Sequence, residues 1–449
     1  MENENYTSSA NEISIMEFFQ NEGSYEIIIY ETLKDYIELF QSKKINYENK
    51  KKYGKLSLIN NAFQNCYLDS NKTKPLLINL INSNGGDYSR YLFFYLQKIL
   101  EENDYETAKQ ISSTIDPITN GLLIAQTKNW IDSLDFNKFD DVFSCKNEKH
   151  LLSEFFFLIA NLYSADEDYI KSNFYLNISN YLNPKFYFNQ SLLVENYFLT
   201  GNYNASKRVL EDFTKKDPVY NWFKIKRIGK VIAEQKGEIK SLNFIQKNFN
   251  KIKKPSTKIL FEMANIYKQN KKYEKAIELY TAALEQLDEN TDSYAEILYR
   301  RGGSYERIKK YSDSDRDLLN SLKISPGDPY VTNYLAYSWL ERNYKIDEAI
   351  EMLQRAYNQK KNDPYIIDSV GWGYYLIGDY ISAEKYLKRA VELMPYDPIT
   401  NDHYGDVLWK LNRKIQARYF WEAVLEFEET EIEMKKNIKY KLLNGPDKI

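Results

Sequence analysis

Histidine, cysteine, glycine and proline are all scarce in this chain of 449 residues. The two histidines, His150 and His403, do not form the pair four apart around a glutamate that holds a catalytic zinc. Each is read as structural or solvated rather than catalytic. The two cysteines, Cys66 and Cys145, are far apart and in no metal-ligand spacing; they neither demand nor exclude an oxidising compartment. With 16 Gly and 11 Pro, long flexible linkers and turn-dense β architecture are disfavoured. No apolar run approaches the roughly 18 residues of a membrane span, so no transmembrane segment is expected. The first ten residues lack a basic stretch followed by an apolar one. A cytoplasmic location follows for the chain as given, and a periplasmic or outer-membrane-associated one if a signal has been removed.

Strong charge of one sign is missing too. With 61 basic and 64 acidic residues the net charge is −3, which gives no electrostatic pull toward nucleic acid. No glycine loop cradles a phosphate: Gly85 and Gly86 read as a turn, and Gly302 and Gly303 lie inside a helical pattern. No serine is flanked as a nucleophile elbow. Asp313, Asp315 and Asp317 fall at a second-helix start, where they favour the helix dipole rather than a metal. No catalytic residue, cofactor site or metal site is therefore expected.

What is present is a repeat. From about residue 153, units begin near 153, 187, 222, 257, 295, 329, 364 and 398, a period of about 34 residues. Position 8 of each unit tends to be small: Ala160, Ala264, Gly302, Ala336, Gly371 and Gly405. So does position 20, as in Ser172, Ser206, Ala276, Ser314, Ala383 and Ala417. Small side chains at these two places let paired helices approach, while large apolar residues at positions 4, 7, 11 and 24 fill the space around them. The 222 unit is degenerate, keeping only Gly229 and Ser241. Units 329, 364 and 398 each open on Asp-Pro, in which Asp caps free N–H groups and Pro stops the preceding helix. Residues 1–22 are polar and expected to fray. Residues 23–152 read as less regular helices, with a hairpin over Tyr88–Leu100 and Tyr105–Ile111 and a helix start at Asp116-Pro117. Residues 153–431 form the repeat array, and 432–449 a capping helix and tail.

These positions resemble tetratricopeptide repeats, with 23–152 as degenerate copies. The resemblance implies an all-α, right-handed superhelical solenoid of stacked helix-turn-helix repeats whose partner is a protein or peptide segment. The runs Asn333–Trp339, Ile367–Trp372 and Asn401–Trp409 resemble a narrower group. These are bacterial envelope repeat proteins, including lipoprotein adaptors that present substrates to carboxyl-terminal processing proteases. That likeness implies peripheral envelope association.

In tetratricopeptide proteins, positions 2, 5, 9 and 12 of the first helix line the concave groove. Carried over, they give Tyr330, Asn333 and Tyr337 in unit 329, and Tyr365, Asp368, Trp372 and Tyr375 in unit 364. Unit 398 adds Asp402, Asp406 and Trp409, and unit 257 adds Lys258, Phe261, Asn265 and Lys268. Two readings of the aromatic stripe stand: a groove for an extended peptide, or packing against neighbouring repeats or a closing C-terminal helix. A chaperone-type carboxylate clamp is incomplete, because the unit after 257 offers Glu296, Tyr299 and Gly303. The expected function is a non-catalytic scaffold or adaptor. The alternatives are an envelope assembly factor or protease adaptor, and an enzyme with an unrecognised site in the N-terminal third.

Overall fold

The computed structural model describes residues 24–45, 53–83, 89–213, 217–428 and 430–446. Residues 1–22 and the Gly85-Gly86 turn lie outside that set. Among the described residues the chain is all-α. Helices α1 to α7 span Ser24–Ser42, Lys55–Tyr67, Thr73–Ile81, Tyr91–Glu101, Tyr105–Thr114, Leu122–Asp132 and Asn137–Val142. Paired hairpins follow: α8 and α9 (Glu148–Ala165, Tyr169–Leu182), α10 and α11 (Tyr187–Leu199, Tyr203–Glu211), and α12 and α13 (Pro218–Lys236, Glu238–Phe249). Five more are α14 and α15 (Thr257–Gln269, Tyr273–Leu284), α16 and α17 (Asp292–Arg307, Tyr311–Ile324), α18 and α19 (Pro329–Glu341, Ile346–Gln359), α20 and α21 (Pro364–Leu376, Tyr380–Leu393), and α22 and α23 (Pro398–Lys410, Lys414–Glu426). Helix α24 (Ile432–Asn444) ends the chain's helical part. The chain divides into two compact units, 1–254 and 255–449.

The small positions work as the spacing requires. A Cβ built on Gly371 would stand 2.6 Å from Leu387 Cγ, and one on Gly302 would stand 2.9 Å from Leu318 Cγ. Gly405 faces Trp421 and Gly229 faces Ile245 in the same way. In these four units the position-8 glycine is thus the floor on which the position-24 side chain rests. At three of the four position-20 serines the hydroxyl donates to the position-8 carbonyl across the hairpin: Ser172 to Ala160 (2.8 Å), Ser206 to Val194 (3.2 Å) and Ser241 to Gly229 (2.8 Å); the Ser314 hydroxyl is buried without a partner. The degenerate 222 unit therefore keeps both the close approach at Gly229 and this bond across the hairpin. Its first helix begins at Pro218, ahead of that unit boundary, with Asp217 as its cap.

Position 15 shows a second regularity, one that side-chain type does not announce. Glu167, Gly201, Lys271, Lys309, Asn343, Gly378 and Asn412 all have positive φ. Each ends a first helix in the left-handed region, which turns the chain back into the second helix. Only two are glycine, so five hairpins bear the steric cost of a side chain there. The three Asp-Pro starts cap as expected: Asp328, Asp363 and Asp397 each accept from backbone N–H groups of the first turn. Asp116-Pro117 departs from the expectation. Asp116 accepts from Ile118 and Thr119 N–H groups in a turn, and the helix starts only at Leu122 after Gly121. An Asp-Pro pair satisfies a turn's N–H groups as readily as a helix's.

In the N-terminal unit, α1 packs on α8, with Tyr25 edge-on to Tyr163 and Tyr36 against Phe155. Rings of Phe63, Phe93, Phe94, Phe143 and Phe186 fill the centre. Cys66 at the end of α2 and Cys145 ahead of α8 form a buried disulfide, a pairing the sequence spacing leaves open. In the C-terminal unit, Trp339 and Trp421 are fully buried within the α18–α19 and α22–α23 hairpins.

Candidate peptide-binding site

The candidate residues lie on one face of the first helices α18, α20 and α22, set there by the 3.6-residue turn that brings positions 2, 5, 9 and 12 into line. Tyr330 and Tyr365 are exposed, and Asn333, Tyr337 and Trp372 are half-buried. Trp372 lies between two rings: its indole stacks on Tyr375 (4.6 Å between centroids) and on His403 (4.0 Å). Its Nε1 donates to Glu341 on the preceding repeat (2.6 Å). His403 Nδ1 shares a proton with the Asp368 carboxylate at 3.0 Å. Burial alone would lower the His403 pKa, but Asp368, with Asp402 and Asp406 beyond it, holds it above the usual histidine value.

Asp402 and Asp406 are buried, as is the cation that meets them. Lys441 of α24 donates to Asp402 Oδ1 (2.7 Å) and to both oxygens of Asp406 (2.8 and 2.9 Å). Burial, with Asp402 adding to it, pushes the Asp406 carboxyl up to about 6 despite that lysine. Trp409 packs on Trp421 and against Gly445 just past α24, with Lys414 and Arg418 over its ring. The chain's own last helix therefore occupies the stretch formed by Asp402, Asp406 and Trp409. Tyr375 is buried between Trp372 and Tyr380.

Toward the start of this unit the same face becomes cationic. Lys268 Nζ and the Tyr334 hydroxyl each come within 3.3 Å of the Cβ position above Gly303. Burial, then Arg300 and Arg307, pull the Lys268 amine down to about 8. Arg300 donates to Glu296 (2.6 Å), and Tyr334 donates to Glu306 (3.1 Å). No carboxylate among the described residues bonds the Lys268 ammonium. Asn265 accepts from Tyr280 (2.6 Å), and Asn333 Oδ1 has no partner. Arg300, Arg307 and Tyr334 were missed by register: they sit one position beyond lining positions, and their length carries them onto the face. Lys441 was missed because it lies in a charged tail. The signal for it was the i, i+4 pair Asp402 and Asp406 on an otherwise buried helix, which needs a cation.

Among the described residues no group of three or more His, Cys, Asp or Glu is placed to hold a metal ion. No helix among them is long and apolar enough to cross a membrane. The face offers stacked rings, amide and hydroxyl groups and one unpaired ammonium, which suit recognition of a polar chain.

Residues 257–290 match the sequence model of the tetratricopeptide repeat. A TPR repeat-containing protein of Pseudomonas aeruginosa is 29% identical over 143 residues, which are 32% of this chain and 23% of that one. Anaphase-promoting complex subunit 3 of Schizosaccharomyces pombe is 21% identical over 118 residues, 26% of this chain and 16% of that one. The chain thus spans less than a quarter of the length of either curated relative. A solved tetratricopeptide repeat protein from Parabacteroides merdae covers 56% of this chain and 97% of its own, with 16% identity and a TM-score of 0.47. Residues 257–290 thus match the tetratricopeptide repeat, and helical hairpins of the same kind recur on both sides of them.

Proposed function

We propose that this protein is a non-catalytic interaction scaffold that holds an extended protein segment on the first-helix face of its C-terminal unit. The segment lies along α14, α16, α18 and α20, from Lys268 to Trp372. The half-buried Lys268 ammonium carries the reading, since it meets no carboxylate of its own chain. An ammonium drawn from water without a partner costs free energy that a bound carboxylate or backbone carbonyl recovers. Tyr330, Tyr337, Tyr365 and Trp372 add contact area at little rotamer cost. Asp402, Asp406 and Trp409 lie at the closed end, against α24.

Photocrosslinkers placed at Tyr330 and Tyr365 test this in the native cell, with Tyr419 as an exposed control on a second helix. The expected result is crosslinking to one polypeptide from Tyr330 and Tyr365 alone, lost in Lys268→Glu. Equal crosslinking from all three sites would overturn it.

The second reading, an envelope assembly factor or protease adaptor, is supported by the Cys66–Cys145 disulfide. Such bonds persist in oxidising compartments and are rare in reducing ones. Thiol alkylation of the protein trapped in acid from living cells tests it. Two free thiols in vivo would argue for a reducing compartment.

A further inference from the structure

The loops of the C-terminal unit divide by charge. Five of them join the two helices of a hairpin: 270–272, 308–310, 342–345, 377–379 and 411–413. Together these hold seven Lys or Arg and one Asp. Five others lead out of a hairpin to the next helix: 285–291, 325–328, 360–363, 394–397 and 427–431. They hold two Lys and nine Asp or Glu. Helix dipoles do not account for the basic set. Each such loop lies between the C-terminus of one helix and the N-terminus of the next, and the two dipole ends offset.

The basic loops follow one another along one edge. Arg342, in the third, donates to Asp315 near the start of α17 (2.7 Å) and lies over the Tyr311 ring (4.7 Å). Arg413, in the fifth, donates to Glu384 near the start of α21. Both loops thus pack against the second helix of the hairpin before them. Those two arginines are used up inside the fold, and Lys271 and Lys345 are paired with Glu431 and Glu348. Lys272, Lys309, Lys310 and Lys414, in contrast, are exposed and meet no carboxylate among the described residues. Aliphatic side chains project beside them. Ile381 and Ile415 stand at the same place in neighbouring hairpins, the second residue of α21 and of α23, and are 72% and 86% exposed. Tyr344 and Ile377 are exposed in the third and fourth loops. Apolar side chains held this far into water and grouped on one edge mark a contact surface.

We propose that this edge docks on an anionic lipid surface, with Lys272, Lys309, Lys310 and Lys414 at the headgroup phosphates and Ile381 and Ile415 entering the boundary of the acyl chains. Protein interfaces are depleted in lysine and take their contact area from aromatic residues. Lysines beside projecting aliphatic side chains instead match a negatively charged bilayer, which attracts the cations and buries the apolar tips. The acidic edge is repelled by the same surface, and this sets the orientation. Each first helix runs from the acidic edge to the basic one, so the bilayer meets helix ends and leaves the first-helix face free. The inference stands independently of what that face binds.

Flotation of the full chain with phosphatidylcholine vesicles containing about one-third phosphatidylglycerol, against phosphatidylcholine alone, tests it. The chain is expected to float with the anionic vesicles only. Lys309→Glu combined with Lys310→Glu is expected to weaken that binding at least about tenfold. Ile381→Asp combined with Ile415→Asp is expected to abolish it with the unfolding temperature unchanged, since both side chains are exposed. Tyr396→Asp, at an exposed residue of the acidic edge, is the control and is expected to float like the wild type. No flotation with anionic vesicles, equal flotation with both kinds, or a loss with Tyr396→Asp as large as with the isoleucine pair would each overturn the proposal. Binding that depends on the lysine pair and not on the isoleucine pair, in folded proteins, would point to an acidic protein as the occupant and overturn it as well.

Discussion

The indole of Trp372 lies flat on the imidazole of His403, with ring centroids 4.0 Å apart and planes 14° from parallel. The two residues come from successive repeats, and Asp368 holds the imidazole from its other side. A cationic imidazole against an indole face adds a cation–π attraction to the ion pair. Because the folded-state pKa is raised, the group's contribution to stability is full below the unfolded value of about 6.5 and lost as pH rises through the folded value. Urea unfolding followed by tryptophan fluorescence should therefore show the largest gap between wild type and His403→Gln at acid pH, narrowing as the solution becomes alkaline. A gap that widens with pH would contradict the assignment.

Lys441→Met should be among the most damaging single changes in the C-terminal unit. It leaves the buried Asp402 and Asp406 carboxylates without a counter-ion, at a cost of about 3–5 kcal/mol. The triple variant with Asp402→Asn and Asp406→Asn should recover most of that loss. Thermal unfolding of the three proteins distinguishes an electrostatic loss, which is recovered, from a packing loss, which is not.

The hairpin geometry predicts two glycine effects of opposite sign. Lys309 has φ 60° and is exposed, so Lys309→Gly should relieve strain and stabilise by about 0.5–1 kcal/mol. Gly371→Ala, in contrast, drives a methyl group into Leu387 and should cost about 1–3 kcal/mol. Denaturant midpoints of the two variants should shift in opposite directions.

Cys66 and Cys145 are separated by 79 residues, so their bond removes much chain entropy from the unfolded state. Cys66→Ser, or reduction of the wild type, should lower stability by roughly 3–4 kcal/mol. The variant should be insensitive to a thiol reductant, whereas the wild type should melt at a lower temperature once reduced.

The hairpins were legible because their information is local. The small residue at position 8 is spaced to meet positions 20 and 24 across a turn, as Gly229 meets Ser241 and Gly371 meets Leu387. The left-handed residue at position 15 was not legible, because Glu167, Lys271 and Lys309 are ordinary helix formers held there by the packing of the hairpins they join. Of the site, the sequence supplied the face on which Tyr330, Trp372 and Asp402 stand. It left open what covers each part of that face.

The amino-acid order by itself determined helix pairing, since every partner lies within one repeat and the contact follows from side-chain size. Tertiary structure alone decided the fate of polar groups. Lys441 reaches back to Asp402 and Asp406 across 39 and 35 residues, His403 meets Asp368 across 35, and Cys66 meets Cys145 across 79. Such pairings depend on how successive hairpins stack and on which ionised groups lose their water, and no local spacing encodes either.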